Sequence, residues 1–233
     1  MARNDVVMIT GATGNLGRAV ASAFAKRGAA LCLVARKVGD PGHLREEGAG
    51  DVLACPADLG DAKAVDEAVA AAVKRFGRID ALCNLAGGFE MGEAVHEIEP
   101  ASWARMMELN VGSVLRVTHA VVPHMLARKS GRIVNVGAFS ALAGKARMGA
   151  YIASKSAVIR LTESMAAELR EQGINVNCVL PSIIDTPENR AAMPKADPGK
   201  WVAPEAIAEV ILFLASPAAR AIHGAAIPVV GLS

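Results

Sequence analysis

The stretch Met8–Val20, MITGATGNLGRAV, decides how the rest of the chain is read. It closes an apolar run, VVMIT, sets Gly11, Gly14 and Gly17 along one turn, and passes into a segment with apolar residues at helical spacing. Glycine at such a turn lets backbone approach a bound group closely. The helix that follows offers free N–H groups and a partial positive charge to an anion. Any tight turn also needs glycine, so the cluster alone does not decide. Its place between a first strand and an amphipathic helix favours a diphosphate cradle made of Gly11, Thr13, Gly14, Asn15, Leu16 and Gly17.

Working outward, short apolar runs alternate with longer helical patterns. ALCLVA (30–35), DVLAC (51–55), IDALCNLAG (79–87), RIVNVG (132–137), NVNCVL (175–180) and AAIPVV (225–230) read as further strands. Residues 15–28, 61–77, 102–129, 151–172 and 204–216 read as helices. Strands this apolar, with no polar alternation, are covered on both faces. The expectation is an α/β fold with a doubly wound parallel sheet of about seven strands, Rossmann-type, and helices on both faces. At 233 residues the chain, 1–233, suits a single nucleotide-binding domain. One Pro-rich segment, PSIIDTPENRAAMPKADPGKW (181–201), breaks the rhythm just after a strand. Open α/β sheets place ligand loops there, so residues 183–201 are expected to close over a small-molecule substrate.

Charge and composition exclude other classes. Net charge is +2, with Lys and Arg interspersed among Asp and Glu, so no footprint for nucleic acid or an anionic membrane is expected. No apolar run reaches membrane-spanning length and the start of the chain lacks a leader pattern, which points to a cytoplasmic protein. Cys32, Cys55, Cys83 and Cys178 lie within apolar strands and read as small, reduced core residues. His43, His96, His119, His124 and His223 show no ligand-like spacing, and no metal is expected.

The second strand ends in Ala35 followed by Arg36 and Lys37. A carboxylate there would accept a ribose 2′-hydroxyl, whereas Arg36 can grip a 2′-phosphate, so NADP(H) is expected over NAD(H). The alternative is that the basic pair only solvates a loop. Tyr151 is the single tyrosine, and Lys155 follows one helical turn later on the same face. An ammonium near a phenol favours phenolate and would draw its pKa down from about 10 toward general acid/base range. Seen alone, the two read more simply as an exposed pair on an amphipathic helix.

Taken together, TGATGNLG, the ADL ending in Asp58 and Leu59, NLAG (84–87), MELNVGS (107–113), YIASK (151–155) and PSIIDT (181–186) resemble the short-chain dehydrogenase/reductase family over essentially the whole chain. The resemblance implies that Asp58 and Leu59 meet the adenine side, and that Asn84, Ala86 and Gly87 pack beside the cofactor. It implies that Asn110 holds a water on a proton relay to Lys155, and that Pro181, Ile184 and Thr186 meet the nicotinamide end. Tyr151 would protonate the atom that gains charge, and Lys155 would also hold the ribose hydroxyls. It implies a homodimer or homotetramer as well, consistent with helices at 103–126 and after Tyr151 that are apolar on more than one face.

The departures are informative. The glycines run G-x-x-G-x-x-G, Leu85 replaces a common asparagine and Ser182 a common glycine. The family's serine normally stands thirteen residues before the tyrosine, and that position is Ala138. On an extended backbone Ser140 would point the same way as Ala138 and could substitute. Within the family, the dihydropteridine reductase branch is similar in its Gly-Ala pair, in AGGF (86–89) and in the loop 185–201, although Arg36 departs from that branch's acidic residue. The expected function is NADP(H)-dependent hydride transfer to or from a small carbonyl, quinone or imine-type substrate. The alternatives are a dihydropteridine reductase-like activity, or a non-enzymic NADP(H)-binding sensor.

Overall fold

The computed structural model describes residues 5–233, so the first four positions of the leader reading lie outside the described residues. Seven parallel strands form one sheet: β1 (Val6–Thr10), β2 (Ala30–Ala35), β3 (Asp51–Pro56), β4 (Ala81–Asn84), β5 (Gly131–Val136), β6 (Ile174–Pro181) and β7 (Ala226–Val229). Their order is β3-β2-β1-β4-β5-β6-β7, all neighbours parallel, as the unbroken apolar runs require. The chain winds outward from β1 in one direction and then returns to start β4 beside β1. That reversal opens a crevice at the carboxyl ends of β1 and β4, where doubly wound sheets bind ligands.

Each face of the sheet is closed by helices. On one face α1 (Asn15–Ala25) and α8 (Pro204–Leu214) bury Val20, Phe24, Ile207 and Ile211 against Val7, Ile9 and Leu31. A short α2 (Gly42–Glu46) adds Leu44 to that layer. On the other face α3 (Ala62–Phe76), α5 (Ser113–Arg128) and α6 (Gly149–Leu169) bury Val65, Val69, Val121, Met125 and Met165 against Met8, Leu82 and Ile133. The cysteines are free and buried within these strands.

Several boundaries differ from the sequence reading. The helix expected over 102–129 begins earlier, as α4 (Pro100–Met107), and is interrupted by a π-helical turn at Glu108–Gly112 before α5. Hydrophobic period does not reveal one extra residue in a turn; here it swings Asn110 inward, as described below. The helix expected to open at Tyr151 starts at Gly149, and its last turn, Arg170–Gln172, tightens to a 3₁₀ helix closed by Gly173 at φ +74°. The 181–201 loop is more ordered than its proline content suggests. Thr186 caps α7 (Pro187–Ala192), and Ile184 bridges Val202 in parallel fashion.

One buried carboxylate braces the start of the sheet. Asp80 accepts from the Val6 backbone N–H at 2.8 Å, from Arg78 at 2.7 Å and from Arg128 at 3.0 Å. Burial pushes its carboxyl up, but the Val6 N–H and the two guanidiniums outweigh that and hold it below its ordinary 3.8. Asp80→Ala is therefore expected to cost about 3 kcal/mol, since it leaves the buried Val6 N–H without its acceptor and removes the carboxylate that Arg78 and Arg128 share. A carboxylate with depressed pKa stabilises above its unfolded value and loses that contribution as pH falls. Urea melts should show the wild-type advantage over Asp80→Ala intact at neutral pH and fading below about pH 4.

Candidate active site

The glycine turn forms as the sequence implied, for steric reasons that can be stated atom by atom. Gly11 sits at φ +66°, and a β-carbon there would lie 2.9 Å from the Ala86 nitrogen. A β-carbon at Gly17 would lie 2.1 Å from the Gly11 carbonyl oxygen, so only glycine lets α1 start this close to the turn. Gly14 is the extended N-cap of α1 and no side chain caps that end. Thr13, Gly14 and Asn15 are exposed around it, while Leu16 is half-buried. The Thr10 hydroxyl, which the sequence reading did not single out, accepts from Leu85 N at 3.1 Å and Ala86 N at 3.3 Å. It fastens the loop after β4 to the end of β1.

Further along the crevice, Arg36 and Lys37 are exposed just past the end of β2. Asp58 turns its carboxylate onto its own loop, accepting from Gly60 N at 2.8 Å, and the Leu59 carbonyl accepts from Arg116 at 3.0 Å. Asn84 is buried at the end of β4. Its amide N–H donates to Asn135 Oδ1 at 2.9 Å, and Asn135 donates to Thr162 at 2.9 Å. Pro181 ends β6, and Ile184 and Thr186 follow it into the ordered loop.

The catalytic candidates meet at the head of α6. Tyr151 and Lys155 are one turn apart, and Lys155 is buried with its Nζ donating to the Val136 carbonyl at 2.9 Å. A β-carbon on Gly87 would stand 2.6 Å from Asn110 Oδ1 and 3.1 Å from Lys155 Nζ, so the NLAG backbone lies directly between those groups. The π-helical turn gives Asn110 its task. Its amide donates to Gly88 O at 3.1 Å and Ser154 Oγ at 2.9 Å, while its Oδ1 accepts from Gly88 N at 2.9 Å. Both side-chain N–H donors are thus spent on holding the loop and α6 in place. Ser154 was legible only as the neighbour of Lys155. Phe89, just beyond, packs its ring on Tyr151 in an edge-to-face arrangement with centroids 4.9 Å apart. Arg147 and Gly92 clasp the same two loops together, Gly92 N donating to Arg147 O at 2.9 Å and Arg147 Nη1 to Gly92 O at 2.8 Å.

Two expectations need correction. Ala138 is extended and buried, but residues 139–142 turn at once into a 3₁₀ helix, with Ala141 N donating to Ala138 O. Strand alternation ends there, so it does not carry Ser140 to the side on which Ala138 points. The phenol of Tyr151 is not drawn down by the protein's own ammonium. Burial pushes it up to about 12, and burial lowers Lys155 to about 8, partly offset by Cys178. Burial dominates both shifts, and the Lys155 ammonium donates to the Val136 carbonyl.

A nicotinamide dinucleotide fits these residues. The glycine turn leaves backbone open to a diphosphate, the exposed Arg36 stands at the end of β2, and Tyr151 and Lys155 flank the NLAG loop. Comparison with known proteins agrees with this geometry. The sequence profile of the short-chain dehydrogenases matches residues 5–197, and the chain belongs to that family. The cis-4-hydroxycyclohexanecarboxylate dehydrogenase of Sinomonas cyclohexanicum is 35% identical over an alignment of 243 positions that spans 97% of this chain and 95% of that one. An NAD⁺-bound xylitol dehydrogenase superposes with a TM-score of 0.90 at 27% identity over 98% of both chains. ElxO with NADP bound superposes equally well, at 0.90 and 26% identity over 98% of both. Oxidoreductase chemistry with a nicotinamide cofactor follows. Among the described residues no helix is long and apolar enough to cross a membrane.

The depressed Lys155 has a thermodynamic signature. A lysine at about 8 in the fold and 10.5 unfolded keeps its proton longer in the unfolded chain, so stability rises as pH climbs through that window. Tyr151, raised from 10 to about 12, acts in the opposite sense only above pH 10. Between pH 8 and 10, denaturation should show wild type gaining on Lys155→Met by up to about 1.4 kcal/mol per pH unit. Parallel pH curves for the two proteins would refute the burial-driven shift.

Proposed function

We propose that this protein is an NADP(H)-dependent reductase or dehydrogenase of a small carbonyl, quinone or imine-type substrate, with Tyr151 as general acid/base. One observation carries this reading: Tyr151 and the buried Lys155 share a helix face against the Gly87–Asn110 contact, a set a mere nucleotide sensor has no physical need to keep. When bound, the dinucleotide supplies or accepts the hydride. The residues around it then have separate tasks. Gly11, Gly14 and Gly17 with the α1 terminus receive the diphosphate. Arg36, which has no partner among the described residues, takes the 2′-phosphate and sets the preference for NADP(H). Asp58 and Leu59 border the adenine, Asn84, Ala86 and Gly87 line the middle of the site, and Pro181, Ile184 and Thr186 border the nicotinamide end.

Tyr151 delivers a proton to the oxygen or nitrogen of the acceptor. A phenol held protonated by burial is suited to the acid direction, and Lys155, charged at neutral pH, steadies the phenolate left behind. Asn110 positions rather than reacts. Because Ala138 brings no hydroxyl to the acceptor, substrates that spread the incoming charge over a ring are favoured over those that leave a localised alkoxide. A quinonoid dihydropterin belongs to that group, and the loop 185–201 supports including it.

The test is oxidation of NADPH, with NADH in parallel, against a quinonoid dihydropterin, quinones, a cyclic ketone and a 3-oxoacyl thioester. At least one acceptor should turn over with NADPH favoured about tenfold or more in kcat/KM. Tyr151→Phe should lose turnover by about 10²–10⁴ while dinucleotide binding persists. Undiminished turnover in Tyr151→Phe would remove that residue as the acid.

The same reading includes a single nucleotide-binding domain, a cytoplasmic location, supported by four free buried cysteines, and a homodimer or homotetramer. Supporting the assembly, an open groove of about 690 Å³ between α3, α5 and α6 is lined by Leu115, His119, Val122, Met165 and Leu169. It lies on the helical face remote from Tyr151, so we read it as part of a subunit contact rather than a substrate pocket. Sedimentation at micromolar concentration should give at least a dimer; a clean monomer would contradict it.

A further inference from the structure

The ordered loop after β6 touches the glycine turn through a residue that no motif points to. Asn15 Nδ2, on the first residue of α1, donates to Glu188 Oε2 at 2.7 Å, joining positions 173 apart in the chain. Glu188 lies in the first turn of α7, where Thr186 is the cap. Its carboxyl is held below the usual range by its own backbone N–H, the Asn15 amide and the Thr186 hydroxyl. These are neutral donors and leave its charge uncancelled. Arg190, the cation on the same short helix, is occupied instead by a two-pronged pair with Asp185, at 2.6 and 2.7 Å. A carboxylate therefore stands, ionised, beside the helix terminus that the dinucleotide reading reserves for a diphosphate.

We propose that Glu188 is an anionic latch: it holds α7 on the glycine turn through Asn15 before the dinucleotide binds, and it opposes the incoming diphosphate, so that it weakens cofactor binding and hastens release. This rests on the dinucleotide-binding reading above. The loop and the cofactor compete for one end of α1, which couples opening of the substrate loop to cofactor exchange. Repulsion acts on the diphosphate, common to both nicotinamide dinucleotides, and is independent of the 2′-phosphate that Arg36 would read.

The test is direct binding, read by nicotinamide fluorescence or calorimetry without turnover. Kd values for NADPH and NADH would be measured for wild type, Glu188→Gln and Glu188→Ala. Glu188 is exposed, so both variants should fold, which circular dichroism checks. Glu188→Gln keeps the reach and removes the charge. It should tighten both dinucleotides by the same factor, about three- to tenfold, and the gain should shrink when salt rises from about 0.05 M to about 0.5 M. Glu188→Ala should tighten them at least as much. Unchanged or weaker binding in Glu188→Gln overturns the latch, as does a gain confined to NADPH. If wild type and both variants bind neither dinucleotide, the dinucleotide reading fails and the latch with it; if wild type binds and only the variants disappoint, the latch alone is lost.

Discussion

The crevice depends on a close backbone approach at the glycine turn. With no side chain at residue 17, α1 starts against the carbonyl of Gly11, and with none at Gly11 the turn lies against the backbone of Ala86. Two loops from the two halves of the sheet are thereby held at backbone contact, and the Thr10 hydroxyl binds them together. Added carbon atoms at either glycine would spread the carboxyl ends of β1 and β4. The helix terminus, the NLAG loop and the head of α6 would then no longer face one space.

Around that contact the polar groups are arranged as supports of one another. Gly88 is held on both its N–H and its carbonyl by Asn110, which the π-helical turn directs inward. Asn110 in turn reaches Ser154, whose hydroxyl returns to the Tyr151 carbonyl at 2.7 Å. Deeper in the sheet, the chain Asn84–Asn135–Thr162 crosses three elements in sequence. Buried amides are costly when unpaired, so each link constrains the next, and the position of Lys155 is a property of the set rather than of one rotamer. Among the described residues the buried Asn84 Oδ1 atom has no hydrogen-bond partner, an exception to the rule that buried polar atoms are paired.

Much of this is legible in the amino-acid sequence. The unbroken apolar runs gave a parallel sheet because only sheets covered on both faces tolerate them, and the glycine turn was placed because its chemistry is local. The Tyr151–Lys155 pair was readable because helical spacing fixes neighbours four apart. What spacing does not encode was missed or misread. The extra residue of the π-helical turn leaves the apolar period of 100–128 almost undisturbed. The direction of the Tyr151 shift depends on burial by residues distant in sequence, such as Phe89. Strand alternation does not describe Ser140, because the strand ends at Val136 and a 3₁₀ turn begins at Phe139. Glu188 meets Asn15 across most of the chain, and no local pattern marks such a pair.

The four free cysteines, packed in the core, give the fold an internal gauge. Cys32, Cys83 and Cys178 are fully excluded from solvent and Cys55 nearly so, on β2, β3, β4 and β6. A thiol reagent reaches none of them without separating strands from helices. Modification at each position therefore counts how often that part of the sheet opens, and the four together map the order in which the two halves of the molecule come apart.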